Sequence, residues 1–72
     1  MPEAWSKVEE KTIGKWIVRL LYNEKGEVIA AELESPRGKR ILVSRGEHVA
    51  IDAPKRVIAF LQKLGFHVEK AV

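Results

Sequence analysis

The chain contains no cysteine. Disulfides therefore cannot stabilise it, and thiolate zinc sites, which hold many small domains together, are excluded. His48 and His67 are its two histidines, and without cysteine partners they do not suffice for a structural zinc. No metal or other cofactor is expected. The longest apolar stretches are a few residues, against roughly 20 needed to span a bilayer. The first six residues show no basic head leading into an apolar run, so no secretory signal is expected. Together with the missing thiols, this reads as a soluble, cytoplasmic protein with no membrane partner.

Catalytic patterns are equally scarce. Asp52 is the single aspartate. Glu9 and Glu10 are adjacent and point apart on a strand or a helix, so they do not form a converging acid/base pair. Ser6, Ser35 and Ser44 stand in no nucleophile-elbow context. His48 and His67 lie 19 residues apart with no ligand-type neighbour at strand or helical spacing. His48 reads as a surface strand residue. The glycines match no Walker or dinucleotide fingerprint. A non-enzyme is the expectation.

What the chain does have is charge and turn punctuation. Its 72 residues carry 13 Lys and Arg against 10 Asp and Glu, a net charge of +3, and are 46% hydrophobic. A domain of this size buries only about 60% of its unfolded surface, so good packing or self-association must supply its stability. Glutamate far outnumbers aspartate, and Asn23 and Gln62 are the only side-chain amides. That composition matches the trend reported for hyperthermophiles.

Three basic residues are followed directly by glycine: Lys25–Gly26, Arg37–Gly38 and Arg45–Gly46. Glycine reaches positive φ without steric penalty, so the pairs read as hairpin tips. Between them, residues 13–22, 28–34, 41–45 and 47–52 read as four strands of an antiparallel meander. An even-length loop at 23–26, of two or four residues, puts Trp16, Val18 and Leu20 on one face with Leu33, Ala31 and Ile29. The two-residue version sets Arg19 opposite Glu32. Centring the next turns on their glycines adds Leu42, Val49 and Ile51 to this core face. Ile17, Leu21, Val28, Ala30, Ile41 and Val43 then fall on the other. Residues 2–12 form either a short helix or the start of a long strand, with Trp5 docked on the body.

Asp52 is read as the N-cap of a helix, with Pro54 in its first turn. Val57, Ile58, Phe60, Leu61 and Leu64 form the apolar arc, and Gly65 is the C′ stop over which Phe66 folds back. Phe66 and Val68 alternate with His67 and Glu69, as a fifth strand or an arm reaching another subunit. The fold class is α+β: a four-stranded antiparallel meander, one amphipathic helix on one face, and a possible C-terminal strand. The outer face keeps apolar residues among charges, which points to a homodimer or larger assembly.

The functional signal is the basic clustering. Arg37, Lys39 and Arg40 fall within four residues in a loop that Pro36 and Gly38 hold outward. Lys25 and Arg45 tip the other sheet end, and Lys15 and Arg19 project from the first strand. These seven residues are the candidate contacts to the phosphates of a nucleic acid. Trp16 and Tyr22 are possible stacking platforms, although the apolar periodicity around Trp16 assigns it to the core. Two functions follow: a sequence-tolerant nucleic-acid binder, or a self-associating structural or adaptor module.

Overall fold

The computed structural model describes residues 7–71; Trp5 lies outside the described residues. Strands β1 (Lys7–Ile13), β2 (Trp16–Tyr22), β3 (Val28–Glu34) and β4 (Arg40–Ser44) form one antiparallel sheet in sequential order. Strand β5 (His48–Ile51), helix α1 (Lys55–Lys63) and strand β6 (His67–Lys70) follow, with β5 and β6 paired in parallel. The class is α+β, with a four-stranded antiparallel meander followed by one helix and a short C-terminal strand. No described helix is long and apolar enough to cross a membrane.

The meander is shifted along the chain from its expected position. Its first strand is β1, which pairs with β2 through a two-residue turn at Gly14 and Lys15. Gly14 takes φ +61° there, a conformation that hairpin turns of this length require. The expected fourth strand leaves the sheet. Gly46 lacks positive φ, and after that corner β5 turns to β6 instead of β4. Parallel strands need a crossover connection, usually a helix, and α1 supplies it.

Two loops of the sheet are built alike. In the first, the Gly26 N–H donates to Asn23 O at 3.0 Å and the Asn23 N–H donates to Glu27 O at 2.9 Å. In the second, the Gly38 N–H donates to Ser35 O at 2.9 Å and the Ser35 N–H to Lys39 O at 2.8 Å. Asn23 Oδ1 accepts from the N–H groups of Lys25 and Glu27, and Ser35 Oγ from those of Arg37 and Lys39. Gly26 and Gly38 sit at φ +83° and +89°. This is the three-residue hairpin loop, a turn followed by a left-handed glycine, and its parity is odd.

The expected even parity nevertheless holds between β2 and β3. A register shift at Leu21 and Tyr22 absorbs the odd residue, so Val18 faces Leu33 and Arg19 faces Glu32. The irregularity also exchanges two neighbours: Val28 joins the core and Ile29 does not. No such shift occurs between β3 and β4. There the odd loop sets Leu33 opposite Ile41 and Ala31 opposite Val43. Val43 is fully buried and Leu42 is 60% exposed, the reverse of the expected facing.

Val18, Leu20, Ala31, Leu33 and Val43 from the sheet pack against Ile51, Val57, Ile58, Leu61, Phe66 and Val68. Helix and β5–β6 pair thus cover the same sheet face. Pro54, not Asp52, is the N-cap of α1, with φ −63° and ψ 155°. A proline disfavours helical backbone in the residue before it, so the helix cannot extend back to Asp52. At the other end, the Gly65 N–H bonds Gln62 O and the Phe66 N–H bonds Leu61 O, with Gly65 at φ +99°. That is the Schellman stop expected from the sequence, and it buries Phe66.

Candidate nucleic-acid interface

The chain path gathers six basic residues at one end of the sheet. Strands β1 and β3 finish there, and β2 and β4 begin there, so the 14–15 turn and the 35–39 loop lie side by side. Strand β5 ends at the same place, α1 begins there, and Lys70 at the end of β6 donates to Ala53 O at 3.1 Å. Lys15, Arg37, Lys39, Arg40, Lys55 and Arg56 are all exposed at this end. Arg56 reaches the turn, its Nη2 lying 3.2 Å from where a side chain on Gly14 would begin.

Among the described residues Arg37, Lys39 and Lys15 have no carboxylate partner, and Arg40 approaches only Glu34, at 3.9 Å. Nor does α1 carry an acidic residue in its first turn, where Lys55 and Arg56 stand instead. Cations there oppose the helix dipole, an arrangement that an anion relieves.

A groove of about 760 Å³ opens between the 35–39 loop and the 50–52 segment. Trp16, Pro36, Ile41 and Ile51 supply apolar walls, Arg37 and Lys39 the cations, and Asp52 a single carboxylate. Trp16 is half-buried and packs against the core as well as lining the groove. The two readings of this residue, core and platform, are therefore compatible. Tyr22 lies at the far end of β2, where its hydroxyl donates to Glu9 Oε1 at 2.7 Å. That hydrogen bond, reinforced by desolvation and the carboxylate charge, raises the phenol pKa above its ordinary value.

The seven expected contacts divide into groups. Arg37, Lys39, Arg40 and Lys15 come together at the basic end. Lys25 and Arg45 lie at the opposite end, as expected, in a body whose longest extent is 37 Å. Arg45 serves the fold there: Nη1 donates to Val28 O at 3.3 Å, and its guanidinium lies against Gly65. Arg19 sits in the middle of the outer face. Its Nε donates to Glu10 at 3.1 Å, and its Nη1 to Glu32 at 3.3 Å and Glu34 at 3.0 Å. These carboxylates, Glu34 foremost, raise the guanidinium pKa and neutralise it locally, which leaves it poorly suited to phosphate.

Two features were not anticipated from the sequence. Lys55 and Arg56 join the basic end because the crossover helix starts beside the 14–15 turn. The parallel β5–β6 register also sets His48 opposite His67, with ring centroids 6.4 Å apart and Glu69 Oε2 2.6 Å from His48 Nε2. Spacing along one strand could not have revealed this, since the partners are 19 and 21 residues from His48. The described residues hold no group of three ligands placed for a metal ion. No protein-family model, curated protein or solved structure matches the chain.

Proposed function

We propose that this protein is a non-catalytic, cytoplasmic nucleic-acid-binding module whose contacts are mainly to phosphates and tolerate sequence. The observation that carries the reading is the unpaired basic end: Arg37, Lys39 and Lys15 without carboxylate partners, beside Arg40, Lys55 and Arg56. Phosphate contacts dominate nucleic-acid affinity and make it salt-dependent. Arg19, Lys25 and Arg45 are secondary or structural in this reading. The protein acts as a homodimer, in keeping with its small core. The ion network around Arg19 and the Lys/Glu-rich composition suit a high working temperature.

The test is an anisotropy titration with labelled single- and double-stranded oligonucleotides between 50 and 200 mM salt. Binding is expected at the lower salt, with log affinity falling linearly in log salt. Replacing Arg37, Lys39 and Arg40 together with Ala should flatten that slope by up to about 3, while Lys25→Ala leaves it unchanged. Absence of binding at 50 mM salt refutes the function, and an unchanged slope in the triple variant refutes the surface.

A second reading rests on the outer sheet face, where Val8 and Leu42 are 53% and 60% exposed. These two flank the Arg19 network and favour a self-associating structural or adaptor module. The apolar area is smaller than the sequence suggested, because Val28 and Val43 are in the core and Ile41 packs against it. Sedimentation velocity of the native chain and of Leu42→Lys tests this second reading. The module reading requires a dimer that this substitution dissociates.

A further inference from the structure

We infer that the groove beside Trp16 takes one unpaired nucleotide, its base against the indole and its phosphates toward Arg37 and Lys39. This deepens the nucleic-acid reading and rests on it.

The groove volume, about 760 Å³, falls within the range of sites that enclose small organic ligands. Its chemistry is divided in the way a nucleotide is divided. Apolar surface from Trp16, Ile41 and Ile51 suits a flat base, and the two cations of the 35–39 loop suit a phosphate. The indole and the loop backbone that carries the cations are held in place before any ligand arrives. Trp16 packs against the core, and its neighbour in the hairpin, Ile13, does the same. The loop is pinned by Ser35, whose Oγ accepts from the backbone N–H groups of Arg37 and Lys39 themselves. Preorganised groups lose less freedom on binding.

Pairing state follows from access. A base in a duplex is stacked on both faces and offers neither to an indole, whereas an unpaired base can splay out onto an aromatic ring. Asp52 on the groove wall points to the same conclusion. A carboxylate repels phosphate but accepts N–H groups, and each of the four bases carries such a donor on its pairing edge. That edge is free only in a single strand. Since all bases have both a π-face and a donor, the groove distinguishes strandedness without distinguishing sequence.

The experiment uses the full chain with Trp5→Phe, so that Trp16 is the only tryptophan. A 12-nucleotide oligo(dT) should quench its fluorescence, and a 12-base-pair duplex bound to the same extent should not. Anisotropy with labelled strands then compares Trp16→Leu, which keeps an apolar side chain but removes the ring, with Trp16→Phe, which keeps a ring. Trp16→Leu should lower single-strand affinity by about 5- to 150-fold, the span for stacking one base on an aromatic ring, with duplex affinity within about twofold. Trp16→Phe should recover most of the loss. If Trp16→Leu weakens both strands equally, or neither, or if the duplex quenches as well as oligo(dT), the groove assignment is overturned while phosphate binding stands. If neither strand binds at 50 mM salt, both are overturned.

Discussion

Val43 and Leu42 are neighbours in β4, one fully buried and the other 60% exposed, so a pair of alanine substitutions tests the facing of the whole strand. Val43→Ala deletes two buried methyl groups opposite Ala31. Core truncations of that size cost about 1–3 kcal/mol, transfer and residual cavity combined. A chain of 72 residues has a total stability of roughly 4–11 kcal/mol at about 0.05–0.15 per residue. The substitution therefore removes a large share, and at about 4–8 °C per kcal/mol the midpoint should fall by roughly 4–24 °C. Leu42→Ala removes surface already in water and should change stability by no more than about 0.5 kcal/mol. Thermal unfolding followed by circular dichroism at several protein concentrations measures both. If Leu42→Ala costs more than Val43→Ala at all concentrations, the odd-length loop at 35–39 is wrong and the inner and outer faces of β4 exchange. A Leu42→Ala cost that falls away on dilution would instead indicate self-association through the outer face.

Gly65→Ala should destabilise by about 1–2 kcal/mol in urea unfolding, since a side chain at φ +99° is strained. It would also displace Arg45, whose Nη2 lies 2.8 Å from the new Cβ. Tyr22 is the single tyrosine, so phenolate absorbance reports it alone. Its midpoint should lie above about 10, because Glu9 favours the protonated phenol. The stabilisation is complete below the unfolded value and is lost as pH rises through the higher folded one. Glu9→Ala should move the midpoint down toward its ordinary position, and an unmoved midpoint would show that the bond to Glu9 is not made in solution.

Much of this architecture was legible because local chemistry and burial agree. The α1 stop needed only Gly65 and Phe66, and the β2–β3 register followed from keeping Trp16, Val18 and Leu33 together. Strand β1 was illegible for a physical reason. As a charged edge strand it is exposed along nearly all its length, so its sequence shows no alternation. The signal that was there is Gly14, a glycine preceding its basic residue instead of following it. The facing of β4 turned on loop parity. Two loops of the same construction differ in outcome because one is followed by a bulge, which no residue type announces. Strand β5 looks like any short strand, and only its parallel partner beyond the helix distinguishes a crossover from a hairpin. The candidate site reflects the same division. The loop cluster Arg37, Lys39 and Arg40 was visible as a run, whereas Lys55 and Arg56 joined it only through that crossover.

The location of binding is best measured by backbone amide chemical shifts during titration with a short single-stranded oligonucleotide. Perturbations should concentrate at residues 14–16, 35–40 and 50–56, all at one end of the sheet. Perturbations centred on residues 23–27, or spread over the face around Arg19, would contradict it, as would a spectrum that does not change.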